Sequence, residues 1–215
     1  MALNPKSDLV KKSLLFINGT PPEVLPQVTG YDLIGCTDGA FHYLKAKNFP
    51  LEELNFISGD FDSWEGLPEE EFAEKIIKTP NQDFTDFQKA LQILQEKGAK
   101  SVDVFGGSGK EMDHFLGNLS AAFQFKDKMN IRFFDEFSEY FFAPKHLVME
   151  NVAGKMISLY PFPTAENITT KGLKWPLNNE NLSQTGRIGT RNLAVEDLLE
   201  ISFESGALLV FIGND

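Results

Sequence analysis

The chain has 215 residues, of which 42% are hydrophobic, and it carries a formal net charge of −11. This length fits one large domain or two small ones, and we predict two. Because its Lys and Arg residues do not cluster, the acidic chain is not expected to bind nucleic acid, and an anionic substrate would need a metal ion as mediator.

The single cysteine, Cys36, excludes an internal disulfide framework and suits a reducing compartment. Residues 1–12 lack the apolar run and the small-residue cleavage site of a secretory signal. No stretch approaches the roughly 18 consecutive apolar residues that a membrane span needs. We therefore expect a cytoplasmic protein without a membrane partner.

The first two-thirds of the chain alternates short apolar runs with longer amphipathic ones, which is typical of a parallel-sheet domain. The predicted strands are residues 14–17, 33–36, 56–58, 76–78, 102–105 and 131–134. Each run is short and mostly apolar, as expected for strands that are buried on both faces.

Two amphipathic stretches predict helices in this region. Apolar residues recur at three to four positions in both, and we expect them to face the core: Phe84, Phe87, Leu91 and Leu94 in the first, and Phe115, Leu116, Leu119, Ala122 and Phe123 in the second. The first helix is predicted over residues 83–97, with Gly98 as its stop signal, and the second over residues 112–125.

Helical periodicity disappears after about Ala143, where short apolar or alternating runs lie between clusters of Pro, Gly and Asn. These runs predict antiparallel strands at residues 155–160, 168–170, 193–195, 198–203 and 207–212. A small all-β domain is therefore expected to follow the α/β domain.

Polar residues that directly follow the predicted strands are the candidate functional residues, because ligands of parallel α/β sheets bind outside the carboxyl ends of the strands. Asp60 and Asp62 follow the third strand and point to the same side if the chain is still extended there. Two such carboxylates are a candidate Mg²⁺ site. For this pair alone, a capped surface turn is the more frequent alternative.

The segment Asn81-Gln82-Asp83-Phe84-Thr85-Asp86 opens the first predicted helix. Asp83 or Thr85 could simply cap that helix. Asp86, however, would complete an acidic triad with Asp60 and Asp62, and Lys89, on the same helix face, could then meet a phosphate oxygen.

The glycine-rich stretch Gly106-Gly107-Ser108-Gly109-Lys110 lies between a strand and a helix, where backbone N–H groups can hold phosphate. Its spacing matches neither a P-loop nor a dinucleotide fingerprint, so an ordinary turn is an equal alternative. Asp113 and His114 open the next helix, and an ordinary half-buried histidine is the favoured interpretation of His114. No zinc site and no Ser-His-Asp triad are predicted.

In this order, the segments resemble the thiamine pyrophosphokinase family over nearly the whole chain. The matching segments are Asp38-Gly39-Ala40, Gly59-Asp60-Phe61-Asp62-Ser63, Asp83-Phe84-Thr85-Asp86-Phe87-Gln88-Lys89-Ala90-Leu91, Gly106 through Asp113-His114 with Asn118-Leu119, Gly172-Leu173-Lys174-Trp175-Pro176-Leu177, and Thr190-Arg191-Asn192. Six segments in this order are far more specific than any one of them.

The resemblance implies an N-terminal parallel-sheet α/β nucleotide-binding domain over residues 1–143 and a C-terminal antiparallel β-sandwich domain over residues 144–215, assembled as a homodimer with active sites at the interface. It also implies Mg²⁺-dependent transfer of pyrophosphate from ATP to the hydroxyl of thiamine, with AMP as the second product. That reaction agrees with the residues, because phosphoryl-type transfer depends mostly on positioning and charge neutralisation.

The resemblance also assigns residues to roles. The metal ligands would be Asp60, Asp62 and Asp86, and these three with Asp113 form the catalytic set, in which Asp86 or Asp113 could accept the hydroxyl proton. The ATP-binding set would be Asp38, Ser63, Asp83, Thr85, Lys89, Gly106, Gly107, Lys110, His114 and Asn118. The thiamine set would be Trp175, Ser183, Thr190 and Asn192, although core packing is an alternative for Trp175.

Two positions depart from the family pattern. Glu111 stands where many members have an arginine that contacts phosphate, and a carboxylate cannot replace a guanidinium toward an anion. Lys110 or Lys89 could take over that charge. Arg191 stands where a serine is usual, which leaves the thiamine contact of that segment open.

Two other functions remain open on the sequence alone. A metal-dependent nucleotide hydrolase could use the same aspartates and glycine-rich turn to activate water. A non-catalytic sensor of thiamine or nucleotide could have kept the fold, and the missing arginine is the best argument for it.

Overall fold

A computed structural model describes residues 11–61 and 70–214, and it shows a mixed α/β, sheet-rich fold. The chain divides into two compact units, the first ending at Ile131 and the second beginning at Arg132. The sequence places the boundary at residue 143 instead, and that boundary stays a prediction. Among the helices of the described residues, none combines the length and the apolar character needed to cross a membrane.

The elements of the first unit follow the predicted alternation. In chain order they are β1 (Lys11–Phe16), β2 (Leu33–Thr37), α1 (Asp38–Ala46), β3 (Phe56–Gly59), β4 (Ile76–Lys78), α2 (Asp86–Glu96), β5 (Ala99–Phe105), α3 (Met112–Phe125) and β6 (Asn130–Phe134), the last of which contains the division between the units. All six predicted strands are confirmed, and α3 has the predicted bounds.

The parallel sheet of this unit has the strand order β4-β3-β2-β1-β5, and each of these neighbours pairs in parallel. From β1 the chain runs outward to β4 on one side, and then crosses back to place β5 on the other side of β1. The strand order therefore reverses between β1 and β5, which is where parallel sheets open a crevice for ligands.

For two residues, the prediction that they face the core is wrong. Leu116 is 60% exposed and Phe84 is 41% exposed. On α3 the buried face consists of Leu119, Ala121, Ala122 and Phe125. Phe84 precedes α2, which begins at Asp86 and not at residue 83, because Thr85 is its N-cap.

The strand pairs described in the second unit are antiparallel. Its strands are β7 (Ser138–Phe142), β8 (His146–Met149), β9 (Met156–Lys171), β10 (Asn178–Ser183), β11 (Gly189–Leu193), β12 (Leu199–Ser202) and β13 (Ser205–Gly213). The long strand β9 pairs with β10, β11, β12 and β13, and its side chains alternate between buried and accessible along much of its length. An antiparallel unit is thus confirmed.

The strands of this unit differ from the prediction in detail. The runs at residues 155–160 and 168–170 are parts of the single strand β9, and the strand predicted at residues 193–195 ends at Leu193. The polar strand β10 was not predicted, because Leu182 is its only fully buried residue and it has no apolar run to recognise.

Candidate active site

A cleft of about 480 Å³ lies at the carboxyl edge of the parallel sheet. Its lining comes from the segments that follow β1, β2, β3, β4 and β5. Lining residues include Asn18, Gly19, Thr37, Asp38, Asp60, Gln82, Asp83, Phe84, Thr85, Asp86, Lys89, Gly107, Gly109, Lys110, Glu111, Asp113, His114, Phe115, Gly117 and Asn118. The cleft thus brings together the predicted catalytic and ATP-binding residues that the structure describes, with one exception, Gly106, which does not line it. Two further predicted residues, Asp62 and Ser63, lie outside the described residues.

The segments after β1 and β5 run side by side across the crevice. The Gly19 N–H donates to the Gly106 carbonyl at 2.8 Å, and the Thr20 N–H donates to the Ser108 carbonyl at 2.8 Å. A Cβ on Gly19 would lie 2.2 Å from the Gly106 oxygen, so only glycine allows this approach. The Asn118 side chain donates to the Gly107 carbonyl at 3.0 Å and ties the glycine-rich turn to α3.

Asp38 begins α1 and is 8% exposed. Its carboxylate accepts hydrogen bonds from the N–H of Gly39 at 2.7 Å and from the N–H of Phe61 at 3.3 Å. Burial raises the pKa of Asp38 above its ordinary value, the Gly39 hydrogen bond opposes that effect, and the charges of Asp86 and Asp60 raise it further. Asp60 and Asp86 therefore both repel the Asp38 carboxylate.

Gly59 allows Asp38 to occupy this place. A Cβ on residue 59 would lie 2.3 Å from both Cγ and Oδ2 of Asp38, well inside van der Waals contact. Packing against Asp38 thus requires a glycine at position 59, independently of the chemistry of Asp60.

Asp60 lines the cleft directly after the end of β3. Asp86 lines it from the first turn of α2. Gln82 Nε2 donates to Asp60 Oδ2 at 2.9 Å. Within residues 11–61 and 70–214, no three His, Cys, Asp or Glu side chains converge closely enough to hold a metal ion by themselves. The third member of the predicted triad, Asp62, lies outside that part of the chain.

Thr85 caps α2 through a capping box, because its hydroxyl accepts from the Gln88 N–H at 3.2 Å while the Gln88 side chain accepts from the Thr85 N–H at 2.9 Å. The Asp83 N–H donates to the Asn81 side chain at 2.8 Å. Thr85 thus caps the helix, as one interpretation of the sequence held, and it also lines the cleft.

Lys89 is buried on α2, and its ammonium has partners within the protein. It donates to the carbonyl of Thr79 at 2.8 Å and to that of Asn81 at 3.3 Å, and it lies 2.8 Å from Asp86 Oδ1. Two N–H groups of Lys89 thus donate to backbone carbonyls and the ammonium forms an ion pair with Asp86, whose Oδ1 has no hydrogen-bond partner among the described residues. A phosphate contact by Lys89 stays a prediction. The ammonium fixes the segment after β4 against α2 and orients Asp86.

Lys110, Glu111, Asp113 and His114 line the cleft near the start of α3. Lys110 Nζ donates to Asn18 Oδ1 at 2.8 Å. The Asp113 carboxylate accepts from the His114 N–H at 2.9 Å, and the His114 ring lies 3.8 Å from Glu111 Oε2. His114 is exposed, so the half-buried histidine that the sequence favoured is wrong.

In the second unit, Trp175 and Asn192 are brought together. Asn192 Nδ2 donates to the Trp175 carbonyl at 2.7 Å, and Asn192 Oδ1 accepts from the Trp175 N–H at 3.2 Å. The indole is 55% exposed, which excludes core packing for Trp175. Lys174 Nζ lies 4.8 Å from the centre of the indole.

The other two predicted thiamine residues lie elsewhere in this unit. Thr190 and Arg191 line a separate concavity of about 680 Å³ together with Met156, Tyr160 and Phe211. Ser183 ends β10 at a tight turn, where its carbonyl accepts from the Gly186 N–H. Neither Ser183 nor Trp175 lines that concavity.

Sequence reasoning missed the segment after β1, where Asn18 and Gly19 line the cleft. The rule that found the other segments also applies to this one, because Asn18 follows the predicted strand at residues 14–17 directly. The position of Asn18 at the end of a predicted strand is therefore the pattern that identifies this segment.

Comparison with family models finds two matches in this chain. The model described as the thiamin pyrophosphokinase catalytic domain matches residues 27–134. The model described as the thiamin pyrophosphokinase vitamin B1 binding domain matches residues 145–208.

Relatives that match most of this chain carry the same names. Thiamine pyrophosphokinase of Bacillus subtilis (strain 168) is 29% identical over 220 residues, covering 95% of this chain and 100% of the relative. Thiamin pyrophosphokinase 1 of Caenorhabditis elegans is 30% identical over 188 residues, covering 81% of this chain and 76% of the relative. The crystal structure of the Bacillus subtilis enzyme matches with a TM-score of 0.77 at 26% identity, over 94% of this chain and 99% of that one.

Proposed function

The chain belongs to the thiamine pyrophosphokinase family, and we propose that it transfers the terminal pyrophosphoryl group of ATP to the hydroxyl of thiamine, giving thiamine diphosphate and AMP. The observation that carries this proposal is the cleft, in which Asp60 and Asp86 line one cavity with the glycine-rich turn. Carboxylates and a glycine-rich turn in one crevice suit a metal-bound polyphosphate.

Mg²⁺ fits the donor set of the cleft. Asp60 and Asp86 supply carboxylate oxygens, and a cation would relieve the repulsion that both exert on Asp38. Mg²⁺ is commonly held by one or two carboxylates, with waters and substrate phosphates as the other ligands. Asp60, Asp86 and Asp62 would hold the ion, which when bound neutralises phosphate charge and orients the polyphosphate.

The transfer requires little covalent help from the protein. The thiamine hydroxyl oxygen forms a bond to the β-phosphorus, the bond from that phosphorus to the oxygen shared with the α-phosphate breaks, and its electron pair leaves with AMP. The hydroxyl proton passes to a carboxylate of the cleft. We assign this role to Asp113, because Asp86 is already held by Lys89.

The thiamine side of the reaction rests on Trp175 and Asn192. The exposed indole offers a π face to the cationic thiazolium, and Asn192 fixes the backbone that carries this indole. Thr190 and Ser183 remain predicted contacts. A homodimer with the active site at its interface, and a β-sandwich form of the second unit, are parts of the proposal that the family resemblance supports.

The test is product identification. The purified protein is incubated with thiamine, ATP and Mg²⁺, and the products are separated by chromatography and identified by mass. Equal amounts of thiamine diphosphate and AMP are expected. ADP or phosphate without a thiamine product would support the hydrolase, whereas tight binding of both ligands without turnover would support the sensor.

A further inference from the structure

Charge in the cleft is strongly unbalanced. Among its described lining residues are six carboxylates, on Asp38, Asp60, Asp83, Asp86, Glu111 and Asp113, and two ammonium groups, on Lys89 and Lys110. A polyphosphate adds further negative charge to such a site. A protein cation with N–H groups to offer is therefore valuable there, in addition to any metal ion.

The two ammonium groups differ in what they can offer. Lys89 is buried, its ammonium donates to two backbone carbonyls, and it forms an ion pair with Asp86. Lys110 is exposed, and among the described residues its ammonium has one hydrogen bond, to Asn18 Oδ1. Two N–H groups of Lys110 thus remain for a ligand.

The backbone of Lys110 is unusual as well. Its φ is +52°, in the left-handed region, and it directly follows a turn in which Gly106 and Gly109 have φ of +77° and +75°. Glycine adopts this conformation without steric cost, whereas a lysine does not. A lysine at such a position places its long side chain over the crevice from a turn whose other positive-φ members are glycines.

Asn18 is itself held in place. Its side chain packs so closely on Gly39 that a Cβ there would lie 2.4 Å from Asn18 Nδ2. The hydrogen bonds of Gly19 and Thr20 to the glycine-rich turn fix the register of the two segments. The Asn18 amide oxygen is therefore presented to the Lys110 ammonium from a defined position.

We infer that Lys110 is the protein cation that binds the polyphosphate of the nucleotide, and that Asn18 is the positioning residue that holds its ammonium over the cleft. This inference rests on the proposed function, because it assigns the nucleotide contact of the same site. Lys110 contacts the substrate, whereas Asn18 acts only through Lys110.

The test compares Lys110→Gln and Lys110→Gly with the parent protein by calorimetric titration of Mg²⁺-tripolyphosphate and of AMP. Loss of a charged hydrogen bond is expected to weaken tripolyphosphate binding roughly 10-fold to 100-fold, while AMP binding changes less than about twofold. Lys110→Gly also relieves the positive φ, so its melting temperature should not fall below that of the parent. Lys100→Gln is the matched control, since Lys100 is exposed on β5 outside the cleft lining and its loss changes the net charge equally.

Asn18 is tested by a double-mutant cycle on the same tripolyphosphate dissociation constant. Asn18→Ala is expected to weaken binding roughly threefold to tenfold in the parent and to have almost no effect in the Lys110→Gln background, since the positioned group is then absent. A purely structural role would give the same loss in both backgrounds and would overturn the assignment of Asn18.

The outcomes distinguish a failure of the inference about Lys110 from a failure of the proposed function. Native tripolyphosphate affinity in both Lys110 variants would overturn the inference, even if the parent protein makes thiamine diphosphate. Absence of thiamine diphosphate from the parent would overturn the proposed function, while the phosphate titration would still decide whether Lys110 binds polyphosphate.

Discussion

The two units present their candidate binding residues in different ways. In the first unit, segments after five parallel strands meet at one edge of the sheet, and Asp38 is buried beneath Gly59 within that cleft. In the second unit, Trp175 is more than half exposed, and it does not line the concavity that Thr190 lines. A parallel sheet gathers its functional segments at one edge, whereas an antiparallel unit distributes its turns over both ends of its strands.

This difference predicts how mutations act in each unit. In the cleft, the contacts that place functional groups also pack the protein, so chemistry and stability are coupled at several positions. On the surface of the second unit, a side chain such as Trp175 adds little to packing. Substitutions there should change ligand affinity without changing stability.

The largest effect is expected for Asp60→Asn, which removes a charge of the proposed metal site but keeps the side-chain size and an acceptor for Gln82. We expect kcat/KM to fall on the order of 100-fold or more, because metal-assisted charge neutralisation contributes several kcal/mol. The melting temperature should stay near that of the parent. Asp127→Asn, at an exposed carboxylate outside the cleft, is the control, and full activity of Asp60→Asn would contradict the metal assignment.

Gly59→Ala should affect stability and activity together, because the new Cβ would lie 2.3 Å from Asp38 Oδ2 and the buried carboxylate would have to move. Overpacking of this kind costs about 1–3 kcal/mol of unfolding free energy. Denaturant unfolding measures that loss, and steady-state kinetics should show a parallel fall in turnover. A variant with native stability and native activity would show that Asp38 is free to shift.

Trp175→Ala should change thiamine affinity without changing stability. Loss of the exposed indole is expected to raise the KM for thiamine by about 2-fold to 30-fold, which corresponds to a cation–π contribution of about 0.5–2 kcal/mol. The KM for ATP and the melting temperature should change little. Val195→Ala, at an apolar residue of similar exposure in the same unit, is the control. Equal losses for both substrates would indicate a role other than thiamine binding.

The smallest effect, with the opposite sign, is expected for Gly117→Ala. Gly117 lies inside α3 at the cleft, and apart from its chain neighbours and the adjacent helix backbone no described atom lies within 4 Å of the place where its Cβ would be. Alanine should therefore stabilise the helix by about 0.5–1 kcal/mol. A loss of stability would contradict this expectation and show that the added methyl group contacts neighbouring atoms at α3.

Prediction from sequence succeeded for features that a short stretch of sequence encodes, namely hydrophobic periodicity and the polar residues at strand ends. The strands of the parallel sheet and the bounds of α3 follow from short apolar runs and helical spacing, and Asp38, Asp60 and Asp86 were found because they follow such runs. Prediction failed for β10, which is polar and is held by pairing with β9. It also failed for Leu116, because spacing does not show how much of a helix face the neighbouring elements cover.

The sequence by itself determined the alternation of strands and helices, the acidic character of the site and the family to which the chain belongs, because these depend on residue type and order. Tertiary structure alone decided how the two lysines of the cleft are partnered. Lys89 and Lys110 look equally available in the sequence, but Lys89 is buried against the carbonyls of Thr79 and Asn81 and beside the carboxylate of Asp86, whereas Lys110 is exposed. Such partners come together only when the segment after β4 folds against α2, and no local pattern encodes that contact.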